Sequence, residues 1–267
     1  MRLGMKRALL CVMFSVVACS AAFAKNRETG FLDRTLTTDG TTYKYQVFVP
    51  ENWNAKQAWP VVLFLHGAGE RGDDGLSQTE VGIATAIRLD RSRFPAIVVM
   101  PQCRKGVWWT DSPLEAVAMR ALEEATKEFH GDTRRTYVTG LSMGGYGTWA
   151  LAGRYPGRFA AIAPICGGVL KPEKARAQSA DDSAPYKEAA AKIGSKTPVW
   201  IFHGDADEAV PVSESRRMNE VMRALGGDVH YTEYPGVGHN AWDKAYGDPE
   251  LMKWMLSKSL APAPSKK

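Results

Sequence analysis

The stretch "YVTGLSMGGYGTW", residues 137–149, decides how the rest of the chain is read. Tyr137, Val138 and Thr139 favour an extended backbone. Glycines then box Ser142 on both sides, and a run suited to a helix follows. A strand that turns at once into a helix leaves one side chain on a sharp bend, above the end of the sheet. With 25 glycines in 267 residues, Gly-x-Ser-x-Gly alone is modest evidence. Its weight depends on the elements around it and on partners that make the hydroxyl reactive.

Those elements alternate along the chain. "TTYKYQVFVP" (residues 41–50) reads polar–apolar, as a half-buried strand does. "WPVVLFLHGAG" (59–69) and "FPAIVVMPQC" (94–103) are continuous apolar runs, as expected of strands buried on both faces. Residues 79–89 between them predict a helix. In "SPLEAVAMRALEEATKEF" the residues Leu114, Val117, Ala118, Ala121, Leu122, Ala125 and Phe129 form one stripe at helical spacing, with Pro113 in the first turn. Further strands are expected in "RTYVTG", "RFAAIAPICGG", "TPVWIFHGDAD" and "DVHYTEYP", with helices after Ser142, from Ser213, and from Pro249 with Asp248 as its cap. This alternation predicts an α/β fold: a mostly parallel, twisted sheet with helices on both faces. The polar stretch at 171–188 reads as an excursion between strands, not as a second domain or a large lid.

The N-terminus has its own logic. "MRLGMKR" is positive, "ALLCVMFSVVAC" is an apolar run too short to span a bilayer, and "AFA" supplies small residues before a cleavage point after Ala24. Residues 1–24 are therefore expected to be a signal peptide, 25–260 one domain, and 261–267 a disordered tail. "VVAC" at 16–19 resembles a bacterial lipobox, the alternative in which Cys19 becomes a lipid-anchored terminus, although leucine is usual where Val16 stands. Either processing route implies export. No membrane span is expected. The net charge of +5 falls to 31 basic against 29 acidic residues once Arg2, Lys6 and Arg7 are set aside. That balance, without an arginine-rich helix, gives no footing for nucleic acid. Cys103 and Cys166 remain in the mature chain. Two strands are expected between them, about 14 Å at ~4.8 Å per strand, and a disulfide needs Cα atoms within about 7 Å. Two free, half-buried thiols are the expectation.

The stretches "FLHGAGERGDD", "VMPQCRKGVWW", "TYVTGLSMGGYGTW", "IFHGDADEAVP" and "GVGHNAWDKAY" together resemble the α/β-hydrolases, in particular exported esterases of the dienelactone-hydrolase-like, predicted-peptidase and feruloyl-esterase-like group. The resemblance spans Phe64 to Tyr246. It implies the α/β-hydrolase fold and a serine–acid–histidine order along the chain. On that pattern Ser142 is the nucleophile and His239 the base. Of Asp205, Asp207 and Glu208, the family form His-Gly-x-x-Asp-x-x-Val selects Asp207 through His203, Gly204 and Val210. His66 and His203 read as loop supports, Asp205 as a loop cap, and His130 and His230 as surface or strand positions. The N–H groups of Met143, at a helix N-terminus, and of Ala68 are the expected oxyanion donors. Trp108 and Trp109 are candidates for substrate contact, with packing beneath the following helix as the alternative for one of them. Glu70 and Arg71 are left between pairing with each other and rimming the pocket.

The implied activity is hydrolysis of a small-molecule carboxylic ester, short-chain or aryl- or sugar-linked, with no metal and no organic cofactor. Dienelactone hydrolases use a cysteine where this chain has Ser142. The lack of a large apolar lid argues against an interfacial lipase. A prolyl-oligopeptidase-like peptidase and an acyltransferase are the alternative chemistries. A non-catalytic binding relative is disfavoured because all three triad positions are filled.

Overall fold

The computed structural model describes residues 28–262 apart from 178, 180 and 181. The expected signal peptide with Cys19, and residues 263–267 of the expected tail, lie outside the described residues. Eight strands, β1 (Gly30–Thr38), β2 (Thr41–Val49), β3 (Trp59–Leu65), β4 (Ile97–Pro101), β5 (Gly131–Leu141), β6 (Ala161–Ile165), β7 (Val199–Gly204) and β8 (Val229–Tyr234), form one sheet in the order β1-β2-β4-β3-β5-β6-β7-β8. From β4 to β8 the strands are parallel; β1–β2 and β2–β4 are antiparallel.

The continuous apolar runs explain the two-sided cover. Every residue of β3 is buried. Because successive side chains alternate, Val61, Leu63 and Leu65 enter one core while Val62 and Phe64 enter the other. The first core is closed by α2 (Ser112–Glu128), α3 (Met143–Arg154), α5 (Ala184–Ile193) and α6 (Ser213–Ala224). The second is closed by α1 (Ile83–Leu89), α7 (Ala241–Gly247) and α8 (Pro249–Leu256). The helix stripe read on α2 is the buried face, from Leu114 to Ala125. Asp248 caps α8 as expected, its Oδ1 accepting from the Glu250 N–H at 2.9 Å with Pro249 in the first turn.

Three expectations are corrected. The helix predicted over 79–89 is broken: a 3₁₀ turn covers Ser77–Thr79, Gly82 takes φ +73°, and only then does α1 begin. The polar stretch at 171–188, between strands as expected, holds α4 (Pro172–Ala177) and the start of α5, anchored by the fully buried Tyr186. A whole strand, β1, precedes the first strand read from the sequence. It joins β2 through Asp39 and Gly40, at φ +49° and +72°, the conformation a two-residue hairpin requires. As an edge strand it buries only Leu36, so its apolar signal is faint. Cys103 and Cys166 are free, and buried rather than half-buried; β3 and β5 stand between their strands. Among the described residues no helix is long and apolar enough to cross a membrane.

Candidate active site

The β5–α3 junction forces Ser142 to φ 52°, ψ −119°, a backbone region that costs a non-glycine residue about 1–3 kcal/mol. The flanking glycines make the bend feasible. A Cβ on Gly140 would lie 2.4 Å from the Gly144 carbonyl oxygen, and one on Gly144 would lie 1.9 Å from that of Leu65. Both positions are closed to any side chain by backbone on either side. The Ser142 N–H donates to Ile165 O at 2.9 Å, while its carbonyl accepts from the Gly145 and Tyr146 N–H groups to start the helix. The side chain is left half-buried at the carboxyl end of the parallel strands, where open α/β sheets hold ligands.

Two loops bring partners to it. His239, between β8 and α7, lies with Nε2 2.8 Å from Ser142 Oγ and Nδ1 2.7 Å from Asp207 Oδ2. A carboxylate only accepts, so Nδ1 carries the ring proton and Nε2 presents its lone pair to the serine hydroxyl. Asp207, after β7, has no exposed side-chain surface. Its Oδ1 accepts from the Ala209 and Val210 N–H groups at 2.9 Å each. Burial alone would push this carboxyl up; hydrogen bonds from His203, His239 and Val210 outweigh it and hold the group well below the ordinary range. His203 is wholly buried. Its Nε2 faces both Val210 O at 3.1 Å and Asp207 Oδ2 at 3.2 Å, so that nitrogen carries the proton and Nδ1 accepts from the Ser215 hydroxyl at 2.7 Å. Gly204 lets the two loops touch, since a Cβ there would lie 2.1 Å from Val237 O. Asp205 caps the other loop, accepting from the Gly236 N–H at 2.7 Å. Two carboxylates two residues apart thus have different neighbours, and only Asp207 meets His239.

On the opposite side, the loop after β3 passes Ser142 so closely that a Cβ on Gly67 would lie 3.7 Å from Ser142 Cβ. Buried His66 pins that loop: Nδ1 donates to Gly67 O at 2.6 Å and Nε2 accepts from the Cys103 N–H at 2.9 Å. Burial pushes His66 down to about 4, so it stays neutral. Arg71 donates to the Ala68 and Val107 carbonyls at 2.9 and 3.3 Å, fixing the Ala68 peptide from its carbonyl side. Arg71 therefore does not pair with Glu70. Glu70 instead sits 4.0 Å from His66, its carboxyl pushed up by burial. Met143 is the first residue of α3, whose N-terminus adds a partial positive charge beside Ser142.

Of the two tryptophans, Trp109 departs from the expected substrate-contacting position. It is 1 % exposed, its Nε1 donates to His66 O at 3.0 Å, and Gly147 packs against its Cβ. Trp109 supports the Ala68 loop from beneath and has no surface to offer a ligand. Trp108 is partly open, edge-on to Tyr146 with centroids 5.7 Å apart and with Lys171 Nζ 4.8 Å from its ring.

One residue here had no signal in the sequence. Cys166, which follows β6 at φ +39°, has its sulfur within 4.8 Å of ligand atoms of Asp207 and His239. Among the described residues this is the one cluster with spacing for a metal. Its donors suit that role poorly. Both ring nitrogens of His239 are engaged, and burial raises the thiol well above its ordinary value, which opposes the thiolate a metal needs.

The family model of putative esterases matches residues 37–246. The chain is 26 % identical to feruloyl esterase B of Thermothelomyces thermophilus, over 92 % of this chain and 91 % of that one. It is 28 % identical to poly(3-hydroxyalkanoate) depolymerase C of Paucimonas lemoignei, over 74 % and 53 %. The chain spans between 21 % and 53 % of the length of the first curated relatives it matches. Among solved structures, a thermostable esterase superposes with a TM-score of 0.74 at 32 % identity, covering 86 % of this chain and 63 % of that one. A fluorophosphonate-binding serine hydrolase of Staphylococcus aureus, at 16 % identity and TM-score 0.66 over 85 % and 98 %, shares the fold. The eight-stranded sheet, its strand order and the match over most of its length agree: this chain belongs to the putative esterase family of α/β-hydrolases.

Proposed function

We propose that the chain hydrolyses carboxylic esters through an acyl-enzyme on Ser142. The hydrogen-bonded chain Ser142–His239–Asp207, at 2.8 and 2.7 Å, carries this reading. Ser142 Oγ attacks the ester carbonyl as His239 Nε2 takes the hydroxyl proton. Asp207 holds the ring in the required tautomer and stabilises the imidazolium. The carbonyl oxygen, now negative, is met by the N–H groups of Met143 and Ala68. As the carbon–oxygen bond to the leaving alcohol breaks, His239 returns the proton to that alcohol. Water then attacks the acyl-enzyme, with His239 again taking a proton, and Ser142 is released.

Short-chain and aryl- or sugar-linked esters are the proposed substrates, with the partly open Trp108 the candidate for contact with them. The reading includes export through the expected signal peptide; mass spectrometry of the mature N-terminus distinguishes cleavage after Ala24 from lipidation at Cys19. The direct test is Ser142→Ala. It lowers kcat/KM on p-nitrophenyl acetate by ~10³-fold or more, and a fluorophosphonate probe labels the parent protein but not the variant. A variant with near-parental turnover, or a parent the probe leaves unlabelled, removes Ser142 from the mechanism.

A further inference from the structure

Trp242, three residues after His239 in the first turn of α7, stands against the imidazole. The two ring centroids lie 5.3 Å apart, with the planes at 85°. The residue is partly open. Its indole Nε1 has no hydrogen-bond partner among the described residues, and unlike Nε1 of Trp149 and Trp254 it is not enclosed. Trp242 thus keeps an N–H donor and ring surface available beside His239, where Trp109 keeps neither.

The places of the two partly open tryptophans follow from the layers. Trp108 packs on the first core and meets Tyr146, one turn past Ser142. Trp242 packs on the second core and meets His239. The sheet lies between the cores and Ser142 stands at its carboxyl end, so one tryptophan borders each flank. The chemistry tells the flanks apart. In the proposed mechanism His239 Nε2, 2.8 Å from Ser142 Oγ, hands its proton to the oxygen of the leaving alcohol. A proton donor works only within hydrogen-bond reach, about 2.6–3.2 Å. The alcohol oxygen is therefore held at the imidazole. The first atoms beyond it fall within reach of an indole centred 5.3 Å from that ring. The acyl carbon is bonded to Ser142, and the acyl chain is left the other flank.

We propose that Trp242 is the specificity-determining residue for the alcohol half of the ester. A flat ring in that half, aryl or sugar, lies against the indole, and its oxygens accept from Nε1. This assignment rests on the ester-hydrolysis reading above and adds which half of the substrate carries the ring.

The experiment compares two ester series on the full chain. The first keeps the acetyl group and changes the alcohol, 2-naphthyl acetate against methyl acetate. The second keeps p-nitrophenol and changes the acyl group, butyrate against acetate. In each series the ratio of kcat/KM values in a variant is divided by the parental ratio, which cancels the intrinsic reactivity of each ester. Trp242→Ala lowers the alcohol ratio about tenfold, roughly the cost of losing one aromatic contact, and leaves the acyl ratio within about twofold. Trp242→Phe keeps a ring, serves if the alanine variant folds poorly, and lowers the alcohol ratio about threefold. All acetates give the same acetyl-enzyme, so its breakdown after a p-nitrophenyl acetate burst stays within about twofold of the parent in Trp242→Phe. A residue that merely propped His239 would slow that step as well. The proposal is overturned if both variants keep the parental alcohol ratio, if the acyl ratio falls as far as the alcohol ratio, or if acetyl-enzyme breakdown slows as much as the alcohol ratio falls. Failure of the underlying reading looks different: the parent itself then shows no burst and takes no fluorophosphonate label.

Discussion

The loops after β3 and after β7 are built on the same device and put it to different ends. Each is pinned by a wholly buried histidine. His66 ties its loop to Gly67 O and to the Cys103 N–H, with the Glu70 carboxyl no nearer than 4.0 Å, and burial keeps it neutral. His203 ties its loop to Val210 O and Ser215, but its Nε2 also reaches the Asp207 carboxylate. Under the proposed mechanism the first loop only has to hold backbone N–H groups in place. The second has to keep a carboxylate with no exposed side-chain surface ionised, and that requires donors as well as support. A buried histidine beside a hydrolase site is therefore not by itself a base; its role follows from which atoms its two nitrogens face.

Breaking the acid side gives the largest expected effect. Asp207→Asn presents an amide where His239 needs a pure acceptor, which permits the wrong tautomer, so kcat falls ~10⁴-fold. Retention of more than a tenth of parental kcat would mean that another carboxylate orients the ring. Next comes the pH dependence that His66 adds to stability. Its folded pKa of about 4 lies below the ordinary ~6.5, so on acidification the unfolded chain takes up the proton first. Its neutral, buried state is without penalty above pH ~6.5, and stability is lost as pH falls from there to about 4, by about 3 kcal/mol in all. Urea unfolding at steps across that window measures the slope, and His66→Gln flattens it. An unchanged slope would show that His66 titrates alike in both states.

The His203 contact with Asp207 is worth less, because two backbone N–H groups and His239 still hold the carboxylate. His203→Gln lowers kcat ~10-fold, roughly the worth of one hydrogen bond, and moves the acid limb of the kcat–pH profile upward. A variant that loses thermal stability while its kcat and pH profile stay parental would reduce His203 to a loop anchor like His66. The smallest effect is expected from Asp205→Asn. It is exposed, its contact is one N–H of the facing loop, and kcat should change about threefold at most. Equal losses at Asp205 and Asp207 would erase the distinction between them.

Much of this architecture was legible in the residues. Strands buried on both faces announce themselves as unbroken apolar runs, so β3 and β4 were found with nearly correct limits. A helix with one buried stripe does the same, as α2 shows. Legibility failed where burial is slight or a single backbone angle decides. β1 buries one side chain, so its pattern is weak, and the Asp39–Gly40 turn was the only available cue. Gly82 cut the helix expected over 79–89 because its left-handed backbone cannot sit inside one. Trp109 and Trp108 are adjacent in sequence and alike in chemistry, yet one is enclosed and one is partly open. Nothing local separates them.

The sequence by itself determined the order of strands and helices, the bend at Ser142 and the residue types that meet there. Those follow from alternation, from backbone crowding at Gly140 and Gly144, and from what each side chain can donate or accept. The tertiary structure alone decided that Trp109 is a support and that Cys166 lies under the site. Each of these depends on which surfaces distant segments bring together, and contact between distant segments leaves no periodic trace along the chain.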